Sequence, residues 1–532
     1  MTRDIAKQLT IAEQHEWFQQ QRSRRAVLKG SLAGAGALML GPSLLAERAG
    51  AAATSIGPTL VTRSGVASNG AIVPFASHIS FGADPTSQMN IAWQVAAPVN
   101  NPFVRVGTSP SDLGERIAAE LKNVHTPWAD ITEFVDSVPP AASSAKNPEN
   151  QYYLHAAVGR LAPATTYFYT VGHQGYDPRY GGPFTQQVYS FTTAPRQAEP
   201  FVFTAFGDQG STYDSIATSN LILAQQPAFH LHAGDVSYAE AGGSGLVTDP
   251  YDPRVWDRFF ITTAQTAAQV PWMVSLGNHE MEPWYSPNGY GADVERFDFP
   301  GNGPSVCPGT YTFTYGNVAI ISLDPNDVSY EIPANLGYSG GAQTAWLAQT
   351  LAALRADRAI DFIVVYFHHC AYSTCTAHGS EGGVRQYWTP LFDQYDVDLV
   401  INGHNHIYER TDPIKAGAST VAAPIGSTIN PATDGTTYVC AGAAGESLYS
   451  FSARDSYEGD INNVTSVSGF VNEPGSTTDP ETVTWSRVRY TGYCLLVVSV
   501  EPSSWKGTTS MVVRGLNENG VELDRFTLTR PT

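Results

Sequence analysis

The spacing of hydrophobic and polar residues changes near residue 200. Before that point, short runs alternate apolar and polar positions with a period of two, as in Met89 to Val95. Such alternation is typical of antiparallel strands with one buried face. The stretch from Leu161 to Val171 contains a turn and then a strand pattern, with tyrosine where β-sandwiches often have a tyrosine corner. We therefore predict a β-sandwich over 56–195, joined by a short linker to the next domain.

After residue 200, apolar strand-like runs alternate with stretches of helical periodicity, such as the face marked by Trp346, Leu347, Leu351 and Leu354. This alternation predicts an α/β domain over 200–532, with its last strands near residues 493–500 and 510–516. Five of the apolar runs end directly at short polar motifs. Because ligand sites of open α/β folds lie at the carboxyl ends of the strands, we expect these motifs to converge.

The polar motifs contain the side chains of a metal site. In chain order they are Gly207-Asp208-Gln209-Gly210, Gly234-Asp235-Val236-Ser237-Tyr238, Gly277-Asn278-His279-Glu280, Val365-Tyr366-Phe367-His368 and Gly403-His404-Asn405-His406. Together they supply carboxylates, a phenol, an amide and imidazoles, enough oxygen and nitrogen ligands for two adjacent metal ions. The first motif alone is usually a turn, and an exposed loop could carry the third. The last motif places two imidazoles on the same side of an extended segment, which is hard to explain as packing.

Composition and charge limit the possible partners. The chain has 532 residues, of which 42% are hydrophobic, and this is enough for large buried cores. The formal net charge of −19 argues against nucleic acid or an anionic membrane as a standing partner, because either would require a basic face. Attraction of an anionic substrate must then be local. The oligomeric state is not indicated.

The first 53 residues have the pattern of an export signal. Arg24 and Arg25 precede an apolar, small-residue stretch from Gly30 to Leu45, and Ala49 to Ala53 have the character of a cleavage site. This arrangement resembles a twin-arginine signal. A membrane anchor is the alternative, but the stretch is shorter than the roughly 20 apolar residues that span a bilayer. We expect export to the periplasm or the exterior by the twin-arginine machinery, and no membrane span in the mature chain.

Cysteines are few and odd in number. The five cysteines leave at least one thiol unpaired, which argues against a disulfide scaffold. Cys370 and Cys375 are close enough in sequence for a small loop bridge. Cys440 and Cys494 lie on apolar strand-like runs and could either pair or be core residues.

The order of the motifs resembles that of a purple acid phosphatase, a family of the calcineurin-like metallophosphoesterase superfamily. The general superfamily often has Asp-x-His in the first motif. Here Gln209 and Gly210 follow Asp208, and Tyr238 lies three residues after Asp235, as in the purple acid phosphatase variant. The resemblance implies a fibronectin type III-like β-sandwich, followed by a two-sheet α/β sandwich with flanking helices. It also implies a secreted, dinuclear metal-dependent acid phosphatase.

The resemblance also assigns the metal ligands. It places Asp208, Tyr238 and His406 on the first metal, Asn278, His368 and His404 on the second, and Asp235 between them as the bridge. A phenolate, two carboxylates and one imidazole suit Fe(III) at the first position. The second position suits Zn(II), Mn(II) or Fe(II), and the sequence does not choose among them. His369 competes with His368 for the ligand role, and we favour His368 because it fits Val-x-x-His after the strand.

The expected reaction is attack on a phosphate monoester by a metal-bound hydroxide, without a covalent phosphoenzyme. His279 is the expected proton donor to the leaving alkoxide, or alternatively a residue that only holds its loop. His378 is expected over the substrate phosphate, where the family commonly carries two histidines, although Ala377 fills the neighbouring position here. His230 and His232 are expected in the core or behind the ligands.

Two other functions remain open. The same site could serve a phosphodiesterase or nucleotide hydrolase, because two-metal sites of this kind cleave both bond types. A different class is a non-catalytic adhesion or carbohydrate-binding protein that uses the β-sandwich, against which the intact ligand set argues. Tyr251, Trp256, Trp284 and Tyr285 are either walls of the substrate pocket or packing residues, and residues 458–481 are predicted to be a surface insertion.

Overall fold

The computed structural model describes residues 71–126, 149–178, 188–503 and 507–531. The predicted export signal over 1–53 lies outside the described residues. So do parts of the predicted β-sandwich, including residues 56–70.

The N-terminal part of the described chain is a β-sandwich of two four-stranded sheets. Its strands are β1 (Phe75–Phe81), β2 (Met89–Val95), β3 (Phe103–Gly107), β4 (Arg116–Ala118), β5 (Glu120–Thr126), β6 (Glu149–Val158), β7 (Thr166–Gly172) and β8 (Tyr189–Thr192). The sheet orders are β1-β2-β6-β5 and β4-β3-β7-β8, with all pairs antiparallel. The amide of Ala162 donates to the Tyr167 hydroxyl at 2.9 Å, which is the type of contact expected of a tyrosine corner.

The second part of the chain is an α/β domain. Its strands are β9 (Phe201–Phe206), β10 (Phe229–His232), β11 (Trp272–Val274), β12 (Tyr311–Tyr315), β13 (Val318–Ser322), β14 (Phe362–Phe367), β15 (Ser380–Glu381), β16 (Leu399–Asn402), β17 (Tyr408–Thr411), β18 (Ile414–Lys415), β19 (Ala418–Ser419), β20 (Thr428–Ile429), β21 (Thr437–Ala441), β22 (Val467–Glu473), β23 (Thr477–Val483), β24 (Ser486–Tyr490), β25 (Cys494–Glu501), β26 (Thr508–Asn517) and β27 (Glu522–Pro531). Its helices are α1 (Tyr213–Ala224), α2 (Arg254–Ala267), α3 (Asp293–Arg296), α4 (Ala342–Ala356), α5 (Gly382–Tyr387), α6 (Thr389–Gln394) and α7 (Pro431–Asp434). Short 3-10 turns cover Asn278–Glu280, Pro325–Asp327 and Pro333–Asn335.

Two seven-stranded sheets form the centre of this domain. Their orders are β11-β10-β9-β25-β26-β27-β20 and β12-β13-β14-β16-β21-β17-β24. Apolar residues of both sheets, such as Val498 and Val364, belong to one buried core. Helices α1 and α2 pack against the first sheet, and α4 to α6 pack against the second. The predicted two-sheet α/β sandwich with flanking helices is therefore confirmed.

Local sequence explains why these elements form. Strand β14 is buried along its whole length because the second sheet is covered on both faces, and this accounts for its continuous apolar run. Helix α1 begins after Thr212, whose side chain accepts a hydrogen bond from the amide of Ser215. Helix α4 buries Leu347 and Leu351, which belong to the face predicted from the sequence.

Polar contacts join the two domains. The Asp257 carboxylate on α2 accepts hydrogen bonds from Gln94 at 2.8 Å and from Gln151 at 2.7 Å. His155 on β6 lies 2.8 Å from the Asp298 carboxylate after α3. Because Gln94, Gln151 and His155 are buried, these contacts fix the sandwich against α2 and the segment that follows α3.

Several details could not be read from the sequence. The predicted surface insertion contains a β-hairpin of β22 and β23, which pairs with β15. All five cysteines are buried and free, so neither of the two bridges considered above forms. Tyr251 and the α2 residue Trp256 are fully buried in the core, and Trp284 and Tyr285 pack against it, so these four aromatics are packing residues. Among the described residues, no helix is long and apolar enough to cross a lipid bilayer.

Candidate metal centre

The predicted ligands lie on the loops that follow the central strands. Strands β9, β10 and β11 are parallel neighbours, as are β14 and β16. In register, Phe206 pairs with His232 and Phe367 with Asn402, so the ends of the strands lie level. The loops after these strands therefore open at one edge of the sheets, as the sequence predicted.

Backbone strain is concentrated in these loops. Asp208, Asp235, Tyr238 and His404 have φ angles of 60°, 52°, 59° and 67°. This left-handed region is unfavourable for residues other than glycine, and such strain collects at functional sites. The sequence gives no sign that the ligands themselves adopt this conformation. The surrounding loops must hold them in place.

The neighbouring glycines provide room for the ligands. A Cβ atom on Gly277 would lie 2.2 Å from Oδ1 of Asp235, and one on Gly403 would lie 2.5 Å from Oδ2 of Asp208. Neither glycine has a positive φ angle. Their role is thus close approach of the backbone to the carboxylates.

Glu280 holds two of the loops together. Its carboxylate accepts hydrogen bonds from the amides of Asp235 at 2.8 Å, Val236 at 2.8 Å and Gly277 at 2.7 Å. The side chain is fully buried. The last residue of the Gly-Asn-His-Glu motif therefore orients the Asp235 loop against the Asn278 loop.

One group of predicted ligands surrounds Nε2 of His368. This nitrogen lies 3.0 Å from Oδ2 of Asp235, 3.1 Å from Oδ1 of Asn278 and 3.2 Å from Nδ1 of His404. Asp235, His368 and His404 form a cluster whose ligand atoms all lie within 4.8 Å of one another.

A second group lies around the Tyr238 hydroxyl. The hydroxyl oxygen is 3.1 Å from Oδ1 of Asp208 and 3.0 Å from Nε2 of His406. The same Asp208 oxygen is 3.3 Å from Nε2 of His406 and 3.9 Å from Nε2 of His368. The structure therefore brings all seven predicted ligands together as two adjoining groups.

The hydrogen bonds of the three imidazoles suit bound cations. His368 Nδ1 donates to the carbonyl of Ala233 at 2.8 Å, and His406 Nδ1 to that of Ser447 at 2.7 Å. His404 Nε2 lies 2.9 Å from the carboxylate of Glu331. Because carbonyls and carboxylates only accept, each ring donates from that nitrogen and directs the lone pair of the other toward the centre.

The lone pairs of His368 and His406 face carboxylate, amide and phenol oxygens, and that of His404 faces Nε2 of His368, so the arrangement favours positive charge between the atoms. Burial lowers the pKa of His368, but the carboxylates of Asp235 and Asp208 outweigh it and raise that pKa to about 10, so they favour a positive charge at Nε2, whether a proton or a metal ion that replaces it. The centre thus attracts a cation. The donor set of carboxylates, phenol, amide and imidazoles fits a pair of metal ions.

The two histidines with predicted catalytic roles both line the cleft above this centre. His279 donates from Nδ1 to the carbonyl of Glu240 at 2.6 Å, and its Nε2 lies 3.7 Å from the Asp235 carboxylate. His378 places Nδ1 2.5 Å from the Glu331 carboxylate. The rings of His378 and His404 lie 4.2 Å apart.

Sequence reasoning missed Glu331 and Tyr449. Glu331 contacts both His404 and His378. Tyr449 stacks on His406 with ring centroids 4.1 Å apart and has its hydroxyl 3.3 Å from Nε2 of His378. Neither residue follows a central strand or belongs to one of the five motifs. No local signal could have found them.

The other histidines have separate places. His368 contacts Asp235 and Asn278, whereas His369 packs its ring 4.2 Å from the ring of His404. His368 therefore stays the predicted ligand. His230 and His232 are fully buried on β10 against Phe206, so they are core residues.

A two-sheet α/β sandwich with this ligand set at its strand ends is the architecture of a metal-dependent phosphoesterase. Residues 74–193 match the family described as purple acid phosphatase, N-terminal domain. Residues 201–408 match the family described as calcineurin-like phosphoesterase. The chain belongs to the purple acid phosphatases of the calcineurin-like phosphoesterase superfamily.

Three similar proteins cover between 49% and 86% of the chain. The "Uncharacterized protein Rv2577" of Mycobacterium tuberculosis is 32% identical over 494 residues, which cover 85% of this chain and 87% of that protein. Purple acid phosphatase 23 of Arabidopsis thaliana is 29% identical and covers 49% of this chain and 58% of its own length. The structure of purple acid phosphatase PPD1 from yellow lupin has a TM-score of 0.63 at 18% identity, covering 86% of this chain and 75% of that one. The structural similarity to the lupin protein shows that the two chains share a fold.

Family membership makes the protein a hydrolase that acts on phosphate esters. The family also implies a dinuclear metal site, which agrees with the clustered Asp and His side chains. A non-catalytic adhesion protein is thereby disfavoured.

Proposed function

We propose that this protein is an exported acid phosphatase that hydrolyses phosphate monoesters at a dinuclear metal centre. The observation that carries the proposal is the convergence of His368 and His406 on the Asp208 and Asp235 carboxylates, with His404 in the same cluster, at an open cleft lined by Asp235, His404 and His406. Such a site can hold both metal ions and a phosphate group that enters from solvent.

The predicted ligands divide between the two metals as the geometric groups suggest. Asp208, Tyr238 and His406 would hold Fe(III), and Asn278, His368 and His404 would hold Zn(II), Mn(II) or Fe(II), with Asp235 shared. When bound, the metal pair supplies Lewis acidity that activates water and neutralises charge on the phosphate.

Side chains of the cleft bind and orient the substrate. His279 reaches the centre with Nε2, while its Nδ1–H is held by the Glu240 carbonyl, so the doubly protonated ring is positioned to pass the Nε2 proton to the leaving oxygen and become neutral. His378 is held by Glu331 through Nδ1, and its doubly protonated ring can donate from Nε2 to a phosphate oxygen.

Metal analysis with a visible spectrum tests the centre. We expect iron and a second metal, with a phenolate-to-Fe(III) band that Tyr238→Phe abolishes. Tyr449→Phe is the matched control, since this tyrosine lines the same cleft without belonging to the predicted ligands. The phenolate-to-Fe(III) band should persist in this variant. A colourless protein with two zinc ions would refute Fe(III) while leaving the phosphoesterase activity intact.

Turnover of a monoester and a diester across pH tests the reaction. We expect preference for p-nitrophenyl phosphate over bis(p-nitrophenyl) phosphate in acid, and loss of activity in Asp235→Asn. His125→Asn, at an exposed position in the sandwich, is the control and should behave as wild type. Clear preference for the diester at neutral pH would replace the proposal with a phosphodiesterase.

Export is part of the proposal and rests on the N-terminal sequence. Replacing Arg24 and Arg25 with lysine should leave the precursor inside the cell, because the twin-arginine route reads that pair. Normal export of this variant would contradict the proposed route without affecting the proposed activity.

A further inference from the structure

The cleft above the metal centre has two chemically different sides. It has a volume of about 610 Å³, and Asp235, Asn278, His404 and His406 lie at its floor. One wall is formed by Leu246, Ile332, Pro333 and Ala334, which we call the apolar wall. The phosphate must sit on the floor, so the alcohol part of an ester extends along the walls.

The Leu246 segment is held firmly in place. Leu246 is 54% exposed. The Asp249 carboxylate accepts hydrogen bonds from the amides of Ser244 at 3.2 Å and Leu246 at 3.0 Å. The carbonyl of Gly243 accepts from Nδ2 of Asn278 at 3.0 Å, which ties the segment to a predicted metal ligand. An apolar side chain is thus kept in water beside the site by a preorganised loop.

The other half of the apolar wall is also fixed relative to the metal centre. Ile332, Pro333 and Ala334 directly follow Glu331, which contacts His404 and His378. A Cβ atom on Gly245 would lie 3.0 Å from Cβ of Ala334, so the two segments touch. The apolar wall is therefore continuous and has a fixed position relative to the floor.

The cleft offers no positive side chain for a second phosphate. Among its lining residues in the described chain, none is lysine or arginine, and Asp235 and Glu331 are acidic. The formal net charge of the whole chain is −19. A polyanionic substrate would leave its additional phosphates unpaired in a negative field.

We propose that the apolar wall is the binding subsite for the leaving alcohol. The preferred substrates are monoesters with a single phosphate and an aryl or alkyl alcohol, and multiply phosphorylated compounds are poor substrates. This inference rests on the proposed phosphatase function. It adds the chemical class of the alcohol.

Two esters with similar leaving-group acidity isolate the contribution of the apolar wall. We expect kcat/KM for 4-butylphenyl phosphate to exceed that for phenyl phosphate by about tenfold or more, since each methylene removed from water contributes up to about fourfold. Leu246→Ser and Ile332→Ser should lower this ratio severalfold. Val521→Ser, at a position that is 59% exposed and outside the cleft lining, should leave the ratio unchanged.

Non-hydrolysable phosphonates measure binding to the apolar wall independently of the catalytic step. Hexylphosphonate should inhibit at least tenfold more strongly than methylphosphonate, and the Leu246→Ser variant should reduce that difference.

Inositol hexakisphosphate should be hydrolysed with lower kcat/KM than either aryl ester. Thermal melting of each variant shows whether it is folded.

The outcomes separate this inference from the proposed function. Equal kcat/KM for the two aryl esters, or a preference for inositol hexakisphosphate, would overturn the subsite while leaving the phosphatase activity standing. An alkyl preference that survives both serine substitutions would also overturn it. If the metal-loaded protein hydrolyses none of these esters, the proposed function fails and the subsite with it.

Discussion

Replacing Glu280 with glutamine tests how the fold holds the metal loops. In the structure one carboxylate oxygen accepts from the amides of Asp235 and Gly277, and the other accepts from that of Val236, at 2.7–2.8 Å. Glutamine has a single acceptor oxygen, so at least one buried backbone N–H is left facing an NH₂ group.

The expected cost follows from that orphaned donor. A buried N–H without a partner costs about 1–3 kcal/mol. For a domain of this size, 1 kcal/mol corresponds to a shift in Tm of roughly 2 °C, so we expect Glu280→Gln to melt about 2–6 °C lower. The Asp235 loop should also lose its orientation, and the affinity for metal should fall with it.

Differential scanning calorimetry of metal-loaded and metal-free protein measures both effects. Glu458→Gln is the matched control, because Glu458 is exposed and the same substitution there should change Tm by less than about 1 °C. Equal Tm values for Glu280→Gln and Glu458→Gln, in both the metal-loaded and the metal-free protein, would show that the three backbone hydrogen bonds do not hold the loops.

Three further predictions concern the centre and the domain interface. Glu331→Gln should weaken metal retention by about 10-fold to 100-fold against a competing chelator, since it removes the carboxylate that orients His404; unchanged retention would contradict this positioning role. Chelation should abolish activity and lower Tm, because metal at a free concentration of 1,000 times its Kd adds about 4 kcal/mol to the free energy of unfolding. Restoring both metals should reverse the two effects. Burial raises the pKa of Asp298, but the hydrogen bond and charge of His155, together with the charges of Lys122 and His78, outweigh it and hold the pKa below 3.8. The Asp298 carboxylate therefore stabilises the fold above pH 3.8, and this stabilisation is lost as the pH falls through the pKa of Asp298 in the folded state. Asp298→Asn should lower the free energy of unfolding by about 1 kcal/mol near neutral pH and by nothing measurable in strong acid. An equal cost at both pH values would refute the linkage.

The sequence anticipated the central strands because their signal is local. Strand β14 is a continuous apolar run that ends at His368, and a change from apolar to polar residues marks the end of a strand wherever it lies in the fold. Parallel pairing then brings such ends to one edge, so the meeting of Asp208, Asp235 and His404 followed from order and topology.

The left-handed backbone at the ligands had no comparable signal. Asp208, Asp235, Tyr238 and His404 are not residues that favour such φ angles strongly enough to predict them. The strain is tolerated because long-range contacts, such as the amide of Asp235 with Glu280, over-determine the loops. Those contacts exist only after the sheets have formed.

By itself, the sequence determined the two-domain order, the strands of the α/β sandwich and the side chains that converge at their ends, since periodicity and strand termination are properties of neighbouring residues. Tertiary structure alone decided that Glu331, Tyr449 and the apolar wall border the same cleft. It also left the five cysteines unpaired and buried the α2 residue Trp256 in the core. These outcomes depend on distances between segments far apart in the chain, and such distances follow only from how the sheets and helices pack.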